Sequence, residues 1–133
     1  MKTKPKILLV GWESHLWSLM KERELKGLDE QFEIIFARLP VDAFHEIAKA
    51  NFVSADPIQA IVFQRESLIF HQELCKKIAE FAELYNKSRS VFINLIENDQ
   101  DREARDYAVI GTFVKENNWQ HVQTILNKNL KRS

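Results

Sequence analysis

The chain is poor in the residues that mark several large functional classes. Its 133 residues include one cysteine, three glycines and three prolines. The single Cys75 excludes an internal disulfide framework and a zinc site built from cysteines, and it fits a reducing cytosol. Three glycines leave no glycine-rich loop of the kind that cradles phosphate in nucleotide-binding enzymes. The composition therefore indicates a cytoplasmic domain without a recognisable phosphate-binding motif.

Net charge and long hydrophobic runs are missing as well. Nineteen Lys and Arg residues balance nineteen Asp and Glu residues, which argues against a dedicated nucleic-acid binder. The apolar run Ile7 to Val10 behind the basic N terminus is too short for a targeting signal. No segment approaches the ~20 apolar residues of a membrane span. We therefore expect one domain over residues 1–133 that contacts neither nucleic acid nor membrane.

What the sequence does contain is an alternation of short apolar runs with helical patterns. The predicted strands are 7–10, 32–37, 60–63, 90–95 and 110–114, and the predicted helices are 14–26, 40–48, 68–86, 98–107 and 118–130. The first strand is continuously aliphatic, as expected when both faces are buried. Helix 68–86 is predicted from apolar residues at helical spacing, namely Phe70, Leu74, Ile78, Phe81 and Tyr85.

Five successive strand–helix units predict a parallel sheet with helices on both faces, because such crossovers are right-handed. Five strands in 133 residues fit the flavodoxin-like α/β plan, a three-layer sandwich with strand order 2-1-3-4-5. In that plan the functional crevice lies at the C-terminal ends of strands 1 and 3. Residues 11–15 follow the first strand and residues 64–67 follow the third, so these two segments are expected to form the crevice.

The segment from Gly111 to Leu130 resembles the end of CheY-like receiver domains of bacterial response regulators. In that family a short fifth strand ends in a lysine, here Lys115, and an amphipathic last helix follows. The resemblance covers the whole chain as topology. It implies that Gln64 (or Phe63, one residue earlier) takes the place of the phosphoacceptor aspartate. It also implies that Asn94 or Leu95 takes the place of the Ser/Thr switch residue.

The departures from the receiver pattern are concentrated at the crevice. A receiver holds Mg²⁺ with an acid pair after strand 1, and Mg²⁺ demands hard oxygen ligands. Here Gly11 and Trp12 replace the acid pair, and Glu13 is displaced by one residue. Neither Gln64 nor Phe63 can form an acyl phosphate. The resemblance therefore implies a degenerate pseudo-receiver that is not an enzyme and uses no metal or cofactor.

Several assignments of crevice residues stay open at this point. Glu13 and Glu66 either form a weak cation site, or are solvated charges, or are partners for Lys115 and Arg65. Trp12 either fills the vacated acid pocket or projects as a binding anchor, a role for which tryptophan is favoured.

Residues outside the crevice have simpler expected roles. Ser14 and Ser67 are expected to be helix caps, and Cys75 a small core or boundary residue. The four histidines (His15, His45, His71 and His121) are expected at or near the surface, because no pair has the spacing of a helical metal site.

Taken as a pseudo-receiver, the chain is expected to be a phosphorylation-independent interaction module in bacterial signalling. Its partner would be another protein or a second copy, bound through the face of helix 98–107, the fifth strand and the last helix. Tyr107, Phe113 and Trp119 are the candidate interface residues. The alternative function is a small-ligand-binding or enzymatic flavodoxin-like domain that uses the same crevice.

Overall fold

The structure is a computed structural model that describes residues 4–12, 28–85, 90–98, 100–102, 111–116 and 118–130. Its strands are β1 (Lys6–Val10), β2 (Glu33–Ala37), β3 (Ile58–Phe63), β4 (Val91–Ile96) and β5 (Thr112–Lys115). Its helices are α1 (Leu28–Gln31), α2 (Pro40–Phe52), α3 (Arg65–Phe70), α4 (Gln72–Tyr85) and α5 (Trp119–Asn129).

The five strands form one sheet in the order β2-β1-β3-β4-β5, and every neighbouring pair is parallel. This confirms the predicted flavodoxin-like architecture. In the register, Val10 pairs with Ala37 on one side and with Phe63 on the other. The C-terminal ends of β1, β2 and β3 therefore lie at the same level, and the residues that follow them meet at one edge of the sheet.

Both faces of the sheet are buried, which is why the central strands are almost continuously apolar. Ile7 and Leu9 of β1 join a core cluster with Trp119, Val122 and Leu126 of α5. The alternate residues Leu8 and Val10 join a second cluster on the opposite face, formed with α2, α3 and α4. The helices thus make two layers around the sheet, and each layer has its own core.

The helix predicted over 68–86 is two helices. His71 leaves the helical region with φ −134° and ψ 42°, which ends α3 and starts α4 one residue later. The predicted apolar stripe is also wrong at both ends, because Phe70 is 75% exposed and Tyr85 is 40% exposed. Leu68, Cys75, Ile78 and Ala82 supply the buried face instead. The spacing rule missed this change because no glycine or proline marks the break.

Other boundaries differ by a few residues. α2 continues to Phe52, four residues beyond its predicted end, and β4 continues to Ile96. Asn118 caps α5 as predicted, since its side chain accepts a hydrogen bond from the backbone N–H of His121 at 3.2 Å. The predicted helix 14–26 and residues 103–107 of the predicted helix 98–107 lie outside the described residues. No helix in the described ranges is long and apolar enough to cross a membrane.

Candidate functional site

The predicted crevice lies where β1, β2 and β3 end, and backbone hydrogen bonds draw these ends together. The N–H of Gly11 donates to the carbonyl of Ala37 at 2.7 Å. The N–H of Gln64 donates to the carbonyl of Val10 at 3.1 Å. The described starts of the two predicted crevice segments, at Gly11 and Gln64, are therefore adjacent in the folded chain.

Gly11 is in direct contact with the residues that follow β3. Its φ of +104° is a backbone conformation that residues with a Cβ rarely adopt. A Cβ at this position would lie 2.5 Å from Ser67 Oγ and 2.6 Å from Gln64 Oε1. The side chains of Gln64 and Ser67 thus occupy the space that a carboxylate at position 11 would need. We call the arrangement of Gly11, Gln64 and Ser67 the closed crevice.

Replacing Gly11 with alanine should destabilise the protein by about 1–3 kcal/mol. The backbone conformation and the contacts with Gln64 and Ser67 both oppose a Cβ. Urea denaturation followed by circular dichroism measures the change. If Gly11→Ala is as stable as the unmodified chain, the closed crevice is not packed as described.

Trp12 is buried, with 5% of its surface exposed, and it belongs to the core between the sheet and α5. Its indole meets that of Trp119 edge to face, with ring centroids 5.7 Å apart and planes at 66°. This burial excludes Trp12 as an exposed binding anchor. It also makes the assignment of Trp119 to an interface wrong, because Trp119 is itself only 4% exposed and packs inward.

The remaining predicted site residues are spread along the same edge of the sheet. Asn94 is fully buried inside β4 and pairs in register with Phe63 and Phe113, so its side chain does not project from the end of the strand. Lys115 is the last residue of β5, as predicted, and it is exposed. Phe113 is half-buried. Glu13 and Tyr107 lie outside the described residues, so their predicted roles stay predictions.

Ser67 and Cys75, which were predicted to be a helix cap and a core or boundary residue, are both buried. Ser67 lies inside α3 and is buried, so its prediction as a helix cap is wrong, and Gln64 holds the cap position. Burial raises the pKa of the Cys75 thiol to about 12, which keeps it protonated and unreactive at neutral pH. Cys75 is thus a core residue, as predicted. His45, His71 and His121 are exposed, as expected.

The sequence reasoning missed an ion pair beside the closed crevice. Arg65, the first residue of α3, contacts both carboxylate oxygens of Asp101, with Nε at 2.6 Å from Oδ2 and Nη2 at 3.3 Å from Oδ1. Oδ2 of Asp101 also accepts the backbone N–H of Glu97 at 2.9 Å. The Asp101 side chain is only 4% exposed, whereas that of Arg65 is 24% exposed. We call this group the Arg65 clamp.

The Arg65 clamp ties the segment after β3 to the segment after β4. Glu97 adds a longer contact, since its Oε2 lies 3.8 Å from Arg65 Nη2. A signal for the clamp existed in the sequence, because an arginine and an aspartate each stand shortly after a strand. The two are 36 residues apart, however, and only the register of β3 against β4 brings them together.

The pKa of Glu116, the residue after β5, depends on the same group of charges. Partial loss of hydration raises the pKa of its carboxyl. The Arg65 guanidinium opposes that rise, whereas the carboxylates of Glu97, Asp101 and Glu66 add to it. Arg65 therefore lowers the pKa of Glu116 in addition to pairing with Asp101. The described residues contain no group of three or more His, Cys, Asp or Glu side chains placed to hold a metal ion.

The arrangement limits the chemistry available at the edge. An acyl phosphate needs a carboxylate, and the residue after β3 carries an amide instead. The acidic side chain nearest to that amide in the chain, Glu66, is exposed on α3. Asp101 already accepts hydrogen bonds from Arg65 and Glu97. The observed contacts therefore build a packed polar edge and assign no reaction to it.

Comparison with protein-family models finds no match to this chain. Comparison with curated proteins finds no match either. Seven chains of solved structures do match. One is the crystal structure of chemotaxis protein CheY4 from Vibrio cholerae, with a TM-score of 0.62 and 13% sequence identity. The alignment covers 96% of this chain and 100% of that chain. At this identity the likeness concerns the fold, and the chain has the flavodoxin-like fold of CheY over nearly its whole length.

Proposed function

We propose that the chain is a pseudo-receiver, a cytoplasmic signalling domain that binds a protein partner without being phosphorylated. The observation that carries this proposal is the closed crevice. Where the fold of CheY would place a metal-binding acid, Gly11 lies directly against Gln64 and Ser67. Where it would place the phosphoacceptor, the chain has the amide of Gln64. The two groups that phosphorylation needs, the metal-binding acid and the acceptor carboxylate, are both replaced.

The neighbouring contacts support the same proposal. Trp12, next in the chain, is part of the core and supplies no metal ligand. The Arg65 clamp holds the segments after β3 and β4 together by an ion pair within the chain. The edge is thus held in one arrangement by interactions that need no phosphoryl group. We infer that the chain binds its partner without prior phosphorylation at this edge.

The alternative of a ligand-binding crevice has less support. Gln64 and Ser67 occupy the space beside Gly11 at the end of β1. A depression of about 200 Å³ among the described residues lies elsewhere, between the start of β1 and the end of α2, and its lining includes Lys6, Glu33, Lys49 and Ser54. Flavin or nucleotide that remains bound to the purified protein would support this alternative against the pseudo-receiver.

The direct test is incubation with Mg²⁺ and acetyl phosphate, or with beryllofluoride as a phosphoryl mimic. We expect no phosphoryl mass increment in the intact protein and no change in tryptophan fluorescence. A receiver that has the acid pair and the acceptor aspartate serves as the positive control. An adduct that forms on the unmodified chain and is lost on replacing one crevice residue would overturn the proposal.

The variant Gln64→Asp sharpens this test because it restores only the acceptor carboxylate. We expect it to stay unphosphorylated, since the residues that would bind Mg²⁺ are still absent at positions 11 and 12. Stoichiometric phosphorylation of Gln64→Asp would show that the metal site survives, contrary to the proposal.

Partner binding is proposed at the face that contains β5 and α5. Because Trp119 is buried, we expect the partner to contact β5 through Phe113 and the exposed Thr112. In a pull-down from cell lysate, a Thr112→Arg variant should lose the partner, whereas Leu84→Ser on the opposite helix layer should keep it. Acetyl phosphate should change neither result. A partner retained only after acetyl phosphate treatment would contradict a phosphorylation-independent role.

A further inference from the structure

A depression of about 200 Å³ lies at the N-terminal ends of β1 and β2, beside the second half of α2. The closed crevice lies at the C-terminal ends of the same strands, so the two features are at opposite edges of the sheet. Sites for drug-sized ligands measure roughly 300–1,000 Å³, so this depression has room for a ligand of only a few atoms. We call it the basal depression.

The lining of the basal depression carries positive and negative side chains in equal number, namely Lys6, Lys49, Glu33 and Glu46. Glu46 and Lys49 stand three residues apart on α2, a spacing at which a helix can pair opposite charges. Among the described residues, however, neither of these two side chains takes part in an ion pair. Both charges are therefore available to a bound molecule.

Lys6 is the buried charge of the basal depression. Only 9% of this residue is exposed, because its position in β1 turns the side chain to the same face of the sheet as Leu8 and Val10. Its Nζ lies 3.8 Å from Glu33 Oε2 and 3.8 Å from Asp56 Oδ2, which is beyond hydrogen-bond distance for both oxygens. The described residues thus leave the N–H groups of this ammonium without a hydrogen-bond acceptor. A buried polar group in that situation indicates that water or a ligand supplies the acceptor.

The turn after α2 forms one wall of the basal depression. Ala55 in this turn has a φ of +52°, in the left-handed region that residues with a Cβ rarely adopt. The N–H of Asp56 donates to the carbonyl of Ala50 at 2.9 Å, which closes the turn. Ser54 therefore lies in the lining, and the carboxylate of Asp56 comes within 3.8 Å of the buried ammonium. A strained residue beside charged side chains is typical of a binding site.

We propose that the basal depression binds a small zwitterion, namely an α-amino acid with an aliphatic side chain. The carboxylate of the ligand accepts hydrogen bonds from the ammonium groups of Lys6 and Lys49. The amino group of the ligand, which is protonated at neutral pH, donates to the carboxylate of Glu46. The apolar part of the lining, Ile35 and Ala50, contacts the aliphatic side chain.

The balance of charge in the lining selects this class of ligand. A simple anion bound to Lys6 would lie near the carboxylates of Glu33 and Asp56, which repel it. In a zwitterion the ammonium group offsets that repulsion, because it interacts with the acidic side chains itself. A metal ion would need several acidic ligands placed around it, and the described residues contain no such group.

This inference goes beyond the proposed function and stands apart from it. The basal depression does not include the closed crevice or the residues of β5. The two proposals can therefore fail separately, since phosphorylation is measured at the C-terminal edge of the sheet and amino-acid binding at the N-terminal edge.

Titration of the full chain with L-valine, followed by two-dimensional amide NMR spectra, tests the site. We expect saturable shifts of the Ala50 and Ser54 amide signals, with a dissociation constant of about 1 mM. Two matched probes each lack one charge of L-valine: isovalerate has no amino group, and isobutylamine has no carboxylate. Each should bind at least about tenfold more weakly than L-valine, because one set of charge-assisted hydrogen bonds is lost.

Variants of the lining separate the two charges of the ligand. Glu46→Gln should weaken L-valine binding about tenfold or more and leave isovalerate binding unchanged, because only the contact with the amino group is removed. Lys49→Met and Lys6→Met should weaken the binding of both L-valine and isovalerate. The matched controls Glu80→Gln and Lys76→Met make the same chemical changes at exposed positions of α4 and should leave L-valine binding unchanged.

Several results would overturn the proposal. The first is the absence of saturable shifts at about ten times the expected dissociation constant. The second is isovalerate or isobutylamine binding as tight as that of L-valine, and the third is a set of shifts confined to residues outside the basal depression. A Glu46→Gln variant that binds L-valine like the unmodified chain also overturns it, as do α4 controls that lose binding.

Discussion

Replacing Trp12 with alanine should cost about 3–5 kcal/mol of folding stability, the largest loss that we expect from a single substitution in this chain. The indole is 5% exposed and makes an edge-to-face contact with Trp119 across the core. Its removal leaves a cavity between the sheet and α5 in addition to the lost burial. Domains of this size have a total stability of only about 5–15 kcal/mol, so a substantial part of it would disappear. Urea denaturation followed by far-UV circular dichroism measures the loss.

The control for this substitution is Leu84→Ala, which also shortens a large apolar side chain. Leu84 is 75% exposed, so the change should stay within about 0.5 kcal/mol. Trp12→Phe should fall between the two, since it keeps an aromatic ring in the core. A loss below about 1 kcal/mol for Trp12→Ala would mean that the indole is not part of the core, and the exposed-anchor assignment would return.

The second large effect is expected at the Arg65 clamp. Asp101→Ala should destabilise the protein by about 2–4 kcal/mol, because it leaves a partly buried guanidinium without its bidentate partner. It also leaves the backbone N–H of Glu97 without the acceptor at 2.9 Å. We place the loss below the full value for a buried pair because the Arg65 side chain is 24% exposed. Chemical denaturation at neutral pH measures it.

A double-mutant cycle isolates the pair itself. Asp101→Ala in an Arg65→Met background should cost much less than in the unmodified chain, because the unpaired cation is then absent. Glu97→Gln is the matched control, since its carboxylate is 62% exposed and 3.8 Å from Arg65. That change should cost no more than about 1 kcal/mol. Additive losses in the cycle would show that Arg65 and Asp101 do not act as a pair.

The sheet could be predicted from the sequence because each of its strands is encoded locally. Ile7 to Val10 is aliphatic at every position, and that pattern already requires a strand covered on both faces. The order of the strands was taken from the flavodoxin-like plan that five strand–helix units fit, and it was confirmed. The end of α3 could not be predicted in this way. The helix ends because His71 has non-helical backbone angles, and the spacing of the apolar residues around it does not indicate this end.

The sequence predicted where the site lies, but it predicted few of the side-chain contacts within the site. Gly11 and Gln64 were placed at one crevice by topology, and they are adjacent there. The sequence could not decide whether Trp12 is exposed, since that depends on how α5 packs on the sheet. It could not pair Arg65 with Asp101 either, because a charged contact between distant segments leaves no periodic pattern. Lys115 was correctly placed at the end of β5 by the resemblance to receiver domains, whereas the strand pattern alone ended at residue 114.

The closed crevice also bears on how such a protein can evolve. An acid at position 11 would collide with Gln64 and Ser67 unless those side chains move or become smaller, and the φ of +104° there also disfavours any residue with a Cβ. An acid at position 12 would open the core beside Trp119 before it could bind any metal. Either substitution alone is therefore expected to lose stability without creating a metal site. A metal site at these positions therefore requires several coordinated substitutions, because the first of them alone disturb the packing around Gly11 and Trp12.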